Sequence, residues 1–165
     1  MSRLDSAIRR LIAQRACLDR AAHLVHRLPG PVLELGLGNG RSYDHLRTRL
    51  AGRDIFVFER TLAAHPDCIP PADRLIMGDF LETLPHIHLP APAAFIHADI
   101  GTGDKAASLA LAAALAPLLP PLAAPGAVLA SDQPLPLPGW TEEPLPPGVA
   151  PGRYRLYRHP EEQGS

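Results

Sequence analysis

The chain has 165 residues, enough for the core of one compact α/β domain and too few for two of typical size. A net charge of -1 and 5% aromatic residues argue against a nucleic-acid partner, which needs a basic surface and stacking platforms, and no apolar run approaches a membrane span. Cys17 and Cys68 lie far apart in sequence and point to reduced thiols in a soluble, cytoplasmic protein.

Residues 3–28 place Leu4, Ile8, Leu11, Ile12, Leu18, Ala22, Val25 and Leu28 at helical intervals between arginines, which predicts an amphipathic helix ending at Pro29-Gly30. A strand over 31–35 feeds a glycine-spaced turn, and 42–50 reads as a helix whose first amides face that turn. Apolar runs at 54–59, 74–79 and 93–99 each end in an acid, namely Glu59, Asp79 and Asp99. Helical stretches at 80–84 and 105–119 follow the second and third runs, and a fifth strand at 127–131 runs into Asp132. The alternation predicts a doubly wound, mostly parallel sheet. Residues 134–152 are rich in proline, and 153–158 alternate like an edge strand. The segment around Trp140 reads either as a sixth strand in an antiparallel hairpin with the last one, or as a surface loop. The expected organisation is a single domain over 1–165, with a helix at 1–30, the α/β core at 31–132, and a proline-rich segment with a C-terminal strand at 133–165.

The glycine turn carries the chemistry. Glycines at 36, 38 and 40 remove the β-carbons that keep a ligand off the backbone and permit the positive φ values of a tight strand-to-helix turn. A dinucleotide fingerprint needs a small residue at position 41, where this chain has Arg41. With Glu34 leading it, Glu34-Leu35-Gly36-Leu37-Gly38-Asn39-Gly40 resembles motif I of class I S-adenosyl-L-methionine-dependent methyltransferases, and the chain is similar to small bacterial members of that family. The resemblance implies a Rossmann-like, seven-stranded α/β sheet, S-adenosyl-L-methionine as cofactor, and transfer of its methyl group to a small-molecule acceptor. A non-catalytic domain that binds this cofactor or its product is the alternative, followed by an NAD-linked oxidoreductase.

In a doubly wound sheet, ligands sit beyond the carboxyl ends of the strands, where Glu59, Asp79, Asp99 and Asp132 fall. Glu59, 19 residues after Gly40, suits a carboxylate accepting from both ribose hydroxyls. Asp79, after Gly78, resembles the family's third-strand acid at the adenine amino group, with Arg60 and Phe80 as walls; its other reading is a helix N-cap. Ser42 opens the helix beyond the glycines. The expected cofactor site is therefore Glu34, Gly36, Gly38, Gly40, Ser42, Glu59, Arg60, Gly78, Asp79, Phe80 and Asp99.

For chemistry, Asp99 reads as a contact to the cofactor's amino group or as a base, Lys105 as a lysine whose pKa a helix start would lower, and Asp132 as a third candidate. Asp99 with Asp132-Gln133 also looks similar to the Asp and Asp-Asn ligands of divalent-metal-dependent catechol-type O-methyltransferases, with Gln133 in place of the Asn. The histidines match no zinc spacing, and no metal enters the expected site. Only the N-terminal helix and the segment around Trp140 are available to cover the cleft, so a homo-oligomer is expected to supply further cover.

Overall fold

A computed structural model describes residues 1–162 of the chain; the last three positions of the expected C-terminal segment lie outside the described residues. It begins with α1 (Arg3–Leu24), set by a capping box in which the Ser2 hydroxyl accepts from the Asp5 amide at 3.0 Å and the Asp5 carboxylate accepts from the Ser2 amide at 3.0 Å. The helix stops four residues before the predicted end. Val25 leaves helical geometry, and Arg53 donates to the carbonyls of Val25 (2.6 Å) and Gly30 (3.0 Å), satisfying backbone acceptors at this corner.

The sheet comprises β1 (Val32–Leu35), β2 (Ile55–Glu59), β3 (Leu75–Met77), β4 (Ala93–Ala98), β5 (Ala123–Ser131), β6 (Thr141–Glu142) and β7 (Arg155–Arg158), in the order β3-β2-β1-β4-β5-β7-β6. The first five strands run parallel, while β7 is antiparallel to β5 and β6 is antiparallel to β7. This is the seven-stranded, mostly parallel α/β sheet the sequence implies, with one correction. The strand near 155–158 is not the edge; β6, directly after Trp140, occupies that position. Prolines at 134, 136 and 138 and again at 144, 146 and 147 cannot donate to a ladder, which confines β6 to two residues.

The remaining helices are α2 (Arg41–Arg49), α3 (Phe80–Thr83) and α4 (Lys105–Leu115). The last ends four residues short of the predicted 119 because Pro117 cannot continue an α ladder, and the chain passes into 3-10 turns. One apolar layer joins α1 and α2 to the sheet face of Val32, Val57, Phe95, Val128 and Leu156. The other joins α4 and the turn at Leu84 to Leu33, Leu35, Ile96 and Leu129. Burial on both faces explains why β1 and β4 read as mostly apolar runs, interrupted only by Glu34 and His97. Among the described residues, no helix is long and apolar enough to cross a membrane.

The strand order reverses between β1 and β4. Chain leaving β1 turns toward α2 on one side and chain leaving β4 toward α4 on the other, so a crevice opens at their carboxyl ends.

Candidate functional site

The crevice is a cleft of about 650 Å³ lined by Arg10, Gly36, Gly38, Glu59, Arg60, Phe80, Asp99, the 100–103 loop, Leu111, Asp132 and Gln133. A recess of about 200 Å³ beside it is lined by Arg10, Leu11, Gln14, Leu37, Gly38, Asn39, Arg41, Ser42 and Asp99.

The three motif glycines do different work. Gly36 has φ +90°, and a Cβ there would lie 2.6 Å from the Asp99 carbonyl oxygen, so glycine lets the turn pass against the chain leaving β4. Gly40 has φ +89°, and its Cβ would meet the Cys68 Cβ at 2.4 Å. At Gly38, φ is +53° and a Cβ would have no atom within 4 Å, which leaves bare backbone facing the cleft.

Glu59, at the end of β2, braces this turn. One carboxylate oxygen accepts from the amides of Leu37 (2.8 Å) and Gly38 (2.9 Å), and the other from those of Arg60 (2.7 Å) and Thr61 (3.4 Å). Asp132, after β5, holds the opposite wall. Its carboxylate accepts from the amides of Ile100 (3.0 Å) and Gly101 (2.9 Å) and from the Gln133 side chain (3.3 Å). Burial, followed by the nearby charge of Asp99, raises the Asp132 pKa.

Beneath the cleft runs a buried polar network. Glu34 in β1 accepts from the Ser42 hydroxyl at 2.9 Å and pairs with His97 Nδ1 of β4 at 2.8 Å; both acid and imidazole are fully buried. His97 Nε2 meets the hydroxyl of Tyr154, which precedes β7, and Gln14 of α1 donates to that hydroxyl at 3.4 Å and to Asp99 Oδ2 at 3.1 Å. Burial alone would depress the His97 pKa, but Glu34, Asp99 and Asp132 outweigh it and the net shift is upward. The Tyr154 phenol is pushed well up, chiefly by burial.

A family model described as S-adenosyl-L-methionine methyltransferase matches residues 1–159. The chain belongs to the S-adenosyl-L-methionine methyltransferase family. It is similar to a solved S-adenosyl-L-methionine methyl transferase from Silicibacter pomeroyi DSS-3, with 45% identity, coverage of 96% of this chain and 99% of that one, and a TM-score of 0.90. Cofactor-bound Rv0187 from MTB (17% identity, 98% and 82% coverage, TM-score 0.54) shares the fold. So does SAM-bound CalS10, an amino pentose methyltransferase from Micromonospora echinaspora (20% identity, 88% and 64% coverage, TM-score 0.51). No curated protein matches the sequence. The chain is thus a methyltransferase enzyme with S-adenosyl-L-methionine as its cofactor.

The methyltransferase's cleft fits that cofactor: an open glycine backbone at Gly38, an aromatic wall at Phe80, and a half-buried Asp99 whose carboxylate receives one hydrogen bond, from Gln14, among the described residues. Of the residues expected from sequence, Gly36, Gly38, Glu59, Arg60, Phe80, Asp99 and Asp132 meet at the cleft. Others stand elsewhere. Glu34 lies wholly beneath the surface with Ser42 and His97, so it supports the turn from behind rather than facing a ligand. Gly40 is packed against Cys68, and a Cβ at Gly78 (φ +141°) would lie 2.9 Å from Thr83. Asp79 realises its N-cap reading: its carboxylate accepts from the Leu81 amide at 2.8 Å and pairs with Arg60 at 3.4 Å. Lys105 is the exposed first residue of α4, after the Asp104 cap, and is absent from the cleft wall.

The residues do not fit the catechol-type metal site. Gln133 turns its amide nitrogen, not its carbonyl oxygen, onto Asp132, and among the described residues no group of three His, Cys, Asp or Glu is placed to hold a metal. Gln14, His97, Tyr154 and Arg10 escaped the sequence reading. The available signals were a glutamine on the buried face of α1 and a histidine inside the apolar run of β4.

Proposed function

We propose that the methyltransferase acts on a small-molecule acceptor, with the cofactor lying along the cleft from Phe80 to Asp99. The observation that carries this reading is the meeting of Gly38, Glu59, Phe80, Asp99 and Asp132 around one cleft of about 650 Å³. When bound, S-adenosyl-L-methionine supplies an electrophilic methyl group on a sulfonium, which an acceptor nucleophile displaces in line.

The chain's residues divide that work. Gly38 lets the cofactor approach the backbone, Glu59 places its negative charge at the ribose end of the cleft while bracing the turn, and Arg60 and Phe80 flank the base. The recess beside Gly38 presents a carboxylate, Asp99, and two guanidinium groups, Arg10 and Arg41, which complement the zwitterionic amino-acid tail. Asp132, on the far wall, takes the proton of an acceptor that must lose one; its raised pKa brings it nearer the working pH. A net charge of -1 and a cleft of this size favour a small acceptor over a polyanion.

Incubating the enzyme with methyl-labelled cofactor and a cell extract, then separating products by size, tests the acceptor. Label in the low-mass fraction, lost in Gly38→Arg, is the expected result; label confined to protein or nucleic acid contradicts it.

A further inference from the structure

The buried network beneath the cleft is more than packing. Five polar side chains from five segments meet where the core is otherwise apolar: Ser42, Glu34, His97, Tyr154 and Gln14 are each 7% exposed or less. Burying such groups is costly, the more so where a polar atom lacks a partner as Glu34 Oε2 does among the described residues, and replacement by apolar residues is the cheaper route to stability. The chain that starts at Glu34 ends on Asp99, the one carboxylate among the described residues that lines the recess.

We propose that Tyr154, His97 and Glu34 are positioning residues that act through Gln14 to aim the Asp99 carboxylate at the ammonium group of the cofactor's amino-acid tail. The inference rests on the placement of Asp99 at that tail. Asp99 stands at the start of the loop after β4, half-buried, and its Oδ2 is held by Gln14 Nε2 at 3.1 Å. The same nitrogen reaches the Tyr154 hydroxyl at 3.4 Å, so Gln14 uses both amide hydrogens and its carboxamide cannot turn without breaking one bond. Tyr154 is in turn fixed by His97 Nε2, and His97 by Glu34 through Nδ1 at 2.8 Å. A carboxamide neither takes up nor releases a proton near neutral pH, so the break in the chain at Gln14 makes this a device for orientation rather than for proton transfer. Asp132 also faces this region with like charge and repels Asp99, so a carboxylate without its Gln14 anchor would be free to swing away.

Two ligands separate orientation of Asp99 from general support of the fold. S-adenosylhomocysteine carries the amino-acid tail, and 5′-methylthioadenosine keeps the nucleoside and sulfur without it. Calorimetric titration of native protein, Tyr154→Phe, Gln14→Leu and Asp99→Asn with both ligands is the test. Tyr154→Phe and Gln14→Leu are expected to weaken S-adenosylhomocysteine about threefold to tenfold, the worth of one hydrogen bond, while methylthioadenosine binding stays within about twofold. Asp99→Asn is expected to weaken S-adenosylhomocysteine roughly tenfold or more, the worth of a charged hydrogen bond. Equal weakening of both ligands in Tyr154→Phe, or no change in either, overturns the positioning role. An Asp99→Asn variant that binds S-adenosylhomocysteine like the native protein overturns instead the placement of Asp99 at the tail.

Discussion

The glycine turn and the polar network beneath it occupy the two levels of one cleft and are built by opposite means. In the turn, backbone does nearly everything: Glu59 gathers four amides, Gly36 and Gly40 let chain pass chain, and Gly38 leaves main chain open. In the network, backbone does little and side chains from distant segments meet, Gln14 with Asp99 across 85 positions and His97 with Tyr154 across 57. A surface made of backbone is specified by local glycine spacing. A buried polar network is specified only by the completed fold, and its members depend on one another because burial leaves Glu34, His97 and Tyr154 no water to fall back on.

Substitutions sharpen that contrast. The largest effect is expected from His97→Leu, which leaves the Glu34 carboxylate in the core with Ser42 alone; a loss of about 3–5 kcal/mol in urea unfolding follows from an unpaired buried charge. A loss below about 1 kcal/mol would erase the distinction, since surface-like behaviour is what that value signifies. Gly36→Ala comes next, at about 2–4 kcal/mol, from a positive φ and a Cβ driven onto the Asp99 carbonyl. Gly38→Ala, with open space around it, is expected to cost only about 1 kcal/mol from its left-handed backbone. Equal costs at the two glycines would show that both serve packing.

The pH dependence of stability addresses the network. His97 has a folded pKa above its ordinary value of 6.5, so its protonated form favours folding; that contribution is complete below about 6.5 and is lost as pH rises through the raised value. Urea midpoints of the native protein should therefore fall across this window, and those of His97→Leu should lack that component. A smaller effect, about 1 kcal/mol, is expected for Asp79→Ala through loss of the α3 cap. Lys105→Ala should change stability by less than about 0.5 kcal/mol and leave S-adenosylhomocysteine affinity unaltered, because the residue is exposed and off the cleft wall. A tenfold drop in affinity would return Lys105 to the site.

How far the molecule could be read from sequence follows the same division. The parallel core was legible because strands buried on both faces leave apolar runs, and the acids at their ends marked the crevice. The edge was misread because β7 alternates as an edge strand does, while its actual neighbour β6 is two residues set among prolines. Motif and strand-end position are enough to bring Gly36, Gly38, Glu59, Phe80 and Asp99 to the wall of one cleft. Glu34, Gly40, Gly78 and Asp79, expected at the cofactor, stand off the cleft wall, since spacing along the chain does not say which way a side chain faces. Gln14 and Tyr154 were invisible, because nothing local to either announces Asp99 or His97 as its partner.

The most direct test of the cofactor cleft is calorimetric titration of the native chain and of Gly38→Arg with S-adenosylhomocysteine. An arginine at position 38 has room to fold around it and fills the space against the open backbone. One stoichiometric site in the native protein, abolished in a Gly38→Arg variant that unfolds cooperatively near the native midpoint, is the predicted result. Undiminished binding to that variant would contradict the account and place the cofactor away from the glycine turn.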